Sequence, residues 1–295
     1  MVLVDTEWLA AHLEDPSVVV VDMRWRGNGS GLTLYERGHV PGAPHLDWSR
    51  DIVDPHHPVA FMLAPPKRFA AAMERAGIGD DSLVVPYADE GGSGPFRLWW
   101  ASHVYGHDNV RPLDGGWEKW TAEGRPVTVD RPRRRVVSWT PRESLEPSGA
   151  GVAGPEDVAA AVTDPACTVL DSRPAEQFRG AAVWFETGPV PAGADGIART
   201  PRGDLRAGHV PGARNVPSSE LYRPDGTMKS PDQLRKLLAA AGVHRGSRAI
   251  TYCGVGISAS ALLFALRRAG IEDAALYDAS WEEWGRDPAR PVARD

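Results

Sequence analysis

Cysteine is nearly absent from this chain: Cys167 and Cys253 are its only two thiols in 295 residues. Two thiols cannot build a disulfide framework, and neither lies in a CxxC pair or a Cys/His cluster at zinc spacing. A disulfide scaffold and a structural zinc site are therefore excluded, no metal is expected, and a reducing cytoplasm is the expected setting. Long apolar runs are missing as well. No stretch reaches the ~18 residues that would cross a bilayer, and the opening MVLVDTEWLAAHLEDP carries acids where a signal peptide needs positive charge followed by an apolar segment. Nor is there a basic excess: 33 Lys and Arg against 39 Asp and Glu leave a net charge of −6, which gives neither nucleic acid nor an anionic membrane a reason to bind. What is present is 42% hydrophobic residues in a chain long enough for two ordinary cores. A soluble enzyme acting on small molecules fits that composition.

The chain also repeats itself. YERGHVPGAPHLDW (35–48) returns as LRAGHVPGARNVPS (205–218), and LDGGWEKW (113–120) returns as YDASWEEW (277–284). Pairing Asp22 with Asp171, His39 with His209, Tyr87 with Tyr252 and Trp117 with Trp281 leaves two length differences: 21 extra residues in the second half between Asp171 and His209, and five in the first half between His39 and Gly77. Short β-branched runs (18–22, 83–87, 168–171, 249–252) read as buried strands. Segments 65–77 and 230–242 read as helices with proline near the start and glycine past the end, Ser230 being the candidate N-cap of the second. Strand and helix in alternation predict an α/β fold with a mostly parallel sheet flanked by helices in each half. Residues 130–154, rich in proline, glycine and charge, are expected to connect an N-terminal domain (1–129) to a C-terminal domain (155–295). The basic cluster Arg131–Arg135 within them is read as solvated linker.

Cys253 falls where the second half turns from strand to helix, in AITYCGVGISASALLFALRRAG. The thiol faces a helix N-terminus, where unpaired amides and the positive end of the helix dipole favour an anion. Gly254 and Gly256 let the backbone curl so that several N–H groups converge on one point, a cradle for a thiolate or a persulfide. The matching residue of the first half is Ala88, so the chemistry is expected in the second half alone. Cys167 has no such cradle and is expected to be structural. His39 and His209 recur in both halves and are read as shaping turns. The recurring pairs Trp117/Trp120 and Trp281/Trp284 are read as packing.

With GHVPGA in both halves, DGGW or DASW near the end of each, and YCGVGIS in the second only, the chain resembles the tandem-domain rhodaneses along nearly its whole length, its loop being closest to their 3-mercaptopyruvate sulfurtransferase branch. The resemblance implies two rhodanese-like domains and a sulfurtransferase. Cys253 would take a sulfane sulfur from thiosulfate or 3-mercaptopyruvate, become a persulfide, and pass the sulfur to cyanide or a thiol, a thioredoxin-like protein being one candidate acceptor. The amides of Gly254, Val255, Gly256, Ile257 and Ser258 would hold the transferred sulfur. The Ser258 hydroxyl would cap the helix or donate to the cysteine sulfur. Arg202 and Arg179 match donor-binding arginines of the family, the guanidinium fork pairing with two oxygens of an anion, in a groove expected between the halves. No organic cofactor is implied.

Three positions depart from the family pattern: Gln177 replaces a second substrate arginine, Val255 a loop serine, and Phe61 a histidine. His56 or His57 is a candidate replacement for the last, although both read as surface loop residues, and Asp47 or Asp51 is a candidate acidic companion. Two competing functions follow. A cysteine phosphatase would need an arginine six residues after the nucleophile, where Ala259 stands. A degenerate domain would carry persulfide or bind a partner without efficient turnover.

Overall fold

The structure, a computed structural model, describes residues 2–133, 136–141, 151–185 and 188–294, with the backbone alone at Phe185. Arg134, Arg135 and residues 142–150 of the expected connection lie outside the described residues. By their internal contacts the residues form two compact units, one of Met1–His56, Leu63–Leu145 and Tyr222–Met228, the other of His57–Met62, Glu146–Leu221 and Lys229–Asp295.

The first unit runs α1 (Thr6–Ala11), β1 (Val18–Asp22), α2 (Gly31–Arg37), α3 (Trp48–Asp51), α4 (Pro66–Arg75), β2 (Leu83–Tyr87), α5 (Gly94–Val104) and α6 (Gly116–Ala122). β1 and β2 pair in parallel from Val18–Leu83 to Asp22–Tyr87. Single parallel bridges at Val4–Leu113, Val84–Val110 and Asp22–His45 continue the sheet on either side. Every residue of β1 is buried, which is why its sequence is a continuous apolar run without alternation. Part of the expected connection is bound to this unit: the buried Trp139 packs on Phe69 at 5.2 Å, and the Thr140 amide donates to Asp80 Oδ1 at 2.6 Å.

The second unit runs β3 (Val152–Ala153), α7 (Pro155–Thr163), β4 (Cys167–Asp171), α8 (Ala175–Phe178), β5 (Ala182–Phe185), β6 (Gly188–Pro191), β7 (Ile197–Thr200), β8 (Gly203–Arg206), β9 (Arg214–Asn215), α9 (Pro231–Ala240), β10 (Arg248–Tyr252), α10 (Ile257–Arg268), β11 (Ala274–Tyr277) and α11 (Ser280–Trp284). Five strands form a parallel sheet in the order β3-β11-β10-β4-β9, so the α/β expectation holds. The 21 extra residues of this half are taken up by two antiparallel hairpins, β5–β6 and β7–β8. Ser230 caps α9 as expected, its hydroxyl accepting the Gln233 amide at 3.3 Å while Gln233 Oε1 accepts the Ser230 amide.

Both units are built around the same buried group. Arg24 clasps Asp22 (Nη2–Oδ2 2.6 Å), donates to Gly38 O and lies over the Trp117 ring at 4.1 Å. Arg173 clasps Asp171 (2.6 Å), donates to Gly208 O and lies over Trp281 at 4.5 Å. The hydroxyls of Tyr87 and Tyr252 each accept the amide of the valine after the recurring histidine, Val40 and Val210, at 3.1 Å. Those histidines are buried and stacked, His39 on Tyr35 and His209 on Phe178, with Nδ1 on a carbonyl of the same neighbour. They hold turns, as their duplication implies. Trp120, Trp281 and Trp284 are fully buried and Trp117 packs against the first core.

Burial pushes the phenols of Tyr35, Tyr87, Tyr222, Tyr252 and Tyr277 above their ordinary value of 10.0. A raised folded pKa means that the native state keeps protons which the unfolded chain gives up, so stability persists below the unfolded value and drains away as pH climbs past it toward the folded values. Thermal melts are expected to show no loss from this source up to about pH 9 and a steep fall in Tm above about pH 10; a flat Tm through that range would contradict the assignment.

Candidate active site

β10 ends at Tyr252 and α10 begins at Ile257, so Cys253–Gly256 is the whole of the connecting loop. Gly256 occupies the N-cap position with φ +78°, a conformation that costs a residue with a Cβ about 1–2 kcal/mol. Among the described residues the amides of Gly254, Val255, Gly256, Ile257 and Ser258 have no acceptor. Five open N–H groups in one tight turn at a helix start can hold an anion. Cys253 itself is 3% exposed, while Gly254, Ile257 and Ser258 at the rim are half-buried.

The loop is held from below and from the side. Trp281 N donates to Cys253 O at 3.0 Å and Glu282 N to Gly254 O at 2.9 Å. The Cys253 amide donates to Ser280 Oγ at 3.1 Å. A Cβ on Gly254 would lie 3.5 Å from Trp184 Cβ, so the β5 tryptophan packs on the loop, and the Phe61 ring meets it edge-on at 6.1 Å. Where a histidine was expected, the structure has an aromatic side chain joined to an aromatic wall.

The matching loop of the first unit is arranged against anions. Asp89 and Glu90 follow Ala88 and pair with Arg26, Asp89 through both carboxylate oxygens at 2.9 and 2.8 Å. The Glu90 amide is consumed by Glu118 Oε1 at 2.6 Å and the Gly92 amide by Asp89 O. The second unit thus has a cysteine beside an unbroken run of open amides, whereas this loop has no thiol, two of its amides are consumed, and it carries two carboxylates of its own.

Of the other candidates, Arg202 sits at the β7–β8 turn, its Nη2 donating to Pro58 O at 3.2 Å and its Nε 3.8 Å from Glu282 Oε1. It reaches the loop through Glu282, whose own amide binds Gly254 O. Arg179 ends α8, is exposed, and makes no side-chain hydrogen bond or ion pair among the described residues. Gln177 is buried with Oε1 unpartnered. The expected roles of Ser258 need correction: no side chain caps α10, and the Ser258 hydroxyl bonds Ser172 Oγ at 2.9 Å, tying the helix start to the end of β4. Asp47 and Asp51 are also otherwise engaged, Asp47 capping α3 and Asp51 accepting the Asp47 amide. His56 and His57 are exposed, as expected of loop residues. Cys167 is 6% exposed in the second core. Sequence reasoning missed Ser172, Trp184, Ser280 and Glu282. Only Ser280 left a signal, as the non-glycine in DASW where the first half has DGGW.

Residues 5–123 and 154–287 match the rhodanese-like domain. The chain belongs to the rhodanese family. It is 34% identical over 305 residues to a protein named sulfur carrier protein TtuD of Thermus thermophilus, covering 99% of this chain and 96% of the relative. It is 32% identical over 299 residues to the 3-mercaptopyruvate sulfurtransferase of Escherichia coli, covering 98% and 96%. The crystal structure of SseA from Escherichia coli, described as a 3-mercaptopyruvate sulfotransferase, superposes with a TM-score of 0.77 at 29% identity, covering 95% of this chain and 98% of that one. Two rhodanese-like domains in tandem are thereby shown, and this rhodanese is a sulfurtransferase. No helix among the described residues is long and apolar enough to cross a membrane.

Proposed function

We propose that this rhodanese moves a sulfane sulfur from thiosulfate or 3-mercaptopyruvate through a persulfide on Cys253 to cyanide or a thiol. The observation that carries the reading is the pairing of the thiol with the unconsumed amides of residues 254–258 in the second unit only. The Cys253 thiolate attacks the outer sulfur of the donor, the bond to that sulfur breaks, and its electron pair leaves with the remainder of the donor, sulfite in the case of thiosulfate. The loop amides stabilise the anion before and after transfer, each well-aimed donor being worth about 3 kcal/mol in comparable anion sites. An acceptor thiolate or cyanide then takes the outer sulfur and frees Cys253 for another cycle. Arg202 is the donor-orienting cation this reading favours, because Glu282 connects it to the loop, whereas Arg179 has no such connection. The likeness to a named sulfur carrier supports a second reading, in which the acceptor is a protein thiol and the persulfide is held rather than turned over quickly.

Intact-protein mass measured after separate exposure to thiosulfate and to 3-mercaptopyruvate tests both readings. One added sulfur on Cys253 with at least one donor, removed by cyanide or a small thiol, is the expected result. No added sulfur with either donor would overturn the proposal. A sulfur that stays until a protein thiol is supplied would favour the carrier.

A further inference from the structure

Ser280 is one of three residues other than glycine with positive φ among those described, at +54°, and it is fully buried. A side chain in that region is strained, and such strain persists only where surrounding structure holds it. The matching residue of the first unit is Gly116, also at φ +54°. The backbone shape is therefore common to both repeats, and glycine meets it at no steric cost in the unit without a nucleophile. The unit with the nucleophile accepts a strained serine instead.

What the serine adds is one hydrogen bond. Its hydroxyl donates to Tyr277 O at 2.8 Å and accepts the Cys253 amide at 3.1 Å. With the proton committed to Tyr277, the oxygen is an oriented acceptor for Cys253 N–H. The neighbouring clasp, Trp281 N to Cys253 O, gives no such contrast, because the first unit has it too, from Trp117 N to Ala88 O at 2.9 Å. The Ser280 contact is the component of this grip that a glycine cannot supply.

We propose that Ser280 is a positioning residue for the nucleophile. By fixing the peptide that enters Cys253 it sets the direction of Cα–Cβ, and with it the place of the sulfur relative to the loop amides of 254–258. Backbone strain is retained there in exchange for aim. Displacements of order 1 Å in a reacting group reduce turnover by about a hundredfold, so a side chain that never touches the donor governs the rate. The inference rests on Cys253 being the sulfur acceptor.

Ser280→Gly and Ser280→Ala, each in the full chain carrying Cys167→Ser, separate aim from stability. The glycine variant relieves the strain and loses the contact. It is expected to melt within a few degrees of its parent, yet to show kcat reduced about tenfold or more with KM within about twofold. The alanine variant keeps the strain, shares the kinetic defect and melts lower. A second readout does not depend on sulfur transfer: the rate of iodoacetamide alkylation of Cys253 against pH is expected to fall near neutrality in both variants, with the acidic limb moved to higher pH. Parental kcat and an unchanged alkylation profile in Ser280→Gly would overturn the proposal. If the parent takes no sulfur from any donor, the persulfide reading fails instead, and the alkylation profile alone decides the role of Ser280.

Discussion

Cys253→Ser is expected to abolish sulfur uptake, with transfer reduced at least about a thousandfold and no gain of sulfur mass from either donor. A serine hydroxyl is a far weaker nucleophile toward sulfur and forms no stable product equivalent to a persulfide. The substitution leaves the supports of the loop in place, because the contacts to Ser280, Trp281 and Glu282 use backbone atoms of 253 and 254. Its fold is therefore expected to survive, so lost activity reports on chemistry. Cys167→Ser gives the opposite signature. That thiol lies in the core of the second unit beside the Arg248 side chain, where a more polar hydroxyl is less favourably buried, so Tm should fall modestly while sulfur loading continues. Undiminished loading of Cys253→Ser would move the chemistry elsewhere and remove the basis for every role assigned around the loop.

Some elements were legible because they bury one face or lie wholly inside a sheet. β1, β2, β4 and β10 match the apolar runs to within a residue, and the proline and Ser230 signals place α4 and α9 correctly. α5 was not legible: ten of its eleven residues are buried, so it has no polar face and no helical period to detect. The two hairpins were hidden for a different reason. β6 and β8 carry proline, glycine and charge, and their weak alternation resembles an irregular loop of the same length. The expected linker began too early at one end and ran too far at the other, since Trp139 packs on the first unit and β3 opens the second sheet inside it.

Cys253 could be found by sequence because the turn from strand to helix, the glycines and the repeat all mark one position. The residues around it could not, because their roles depend on partners distant in the chain. Ser258 looks like a cap by its place in the sequence, yet the cap is Gly256 and the serine faces Ser172, 86 residues away. Trp184 reaches Gly254 from a hairpin that sequence patterns did not reveal. Phe61 reads as a lost histidine until its ring is seen against Trp184, where it continues an apolar wall beside the Cys253 loop.

The largest loss of stability is expected from Arg173→Met. Arg173 and Asp171 are 2% and 0% exposed, and the arginine satisfies Asp171 through Nε and Nη2 while its Nη2 also holds Gly208 O at 2.7 Å. Methionine fills much of the space over Trp281 but leaves a buried carboxylate, hydrogen-bonded by the Tyr252 hydroxyl, without its counter-charge. Removing one partner of a buried pair costs about 3–5 kcal/mol, a large share of the 5–15 kcal/mol typical of a whole domain. Arg24→Met removes the same interaction in the first unit, where no sulfur chemistry is assigned. Chemical denaturation should show both variants destabilised to a similar degree. Below the transition, Arg24→Met should load sulfur like its parent. Arg173→Met should load it more slowly, because Asp171 precedes Ser172, the partner of Ser258 at the start of α10. Equal loading in the two would mean that the buried pair supports the fold alone and contributes nothing to the aim of the loop.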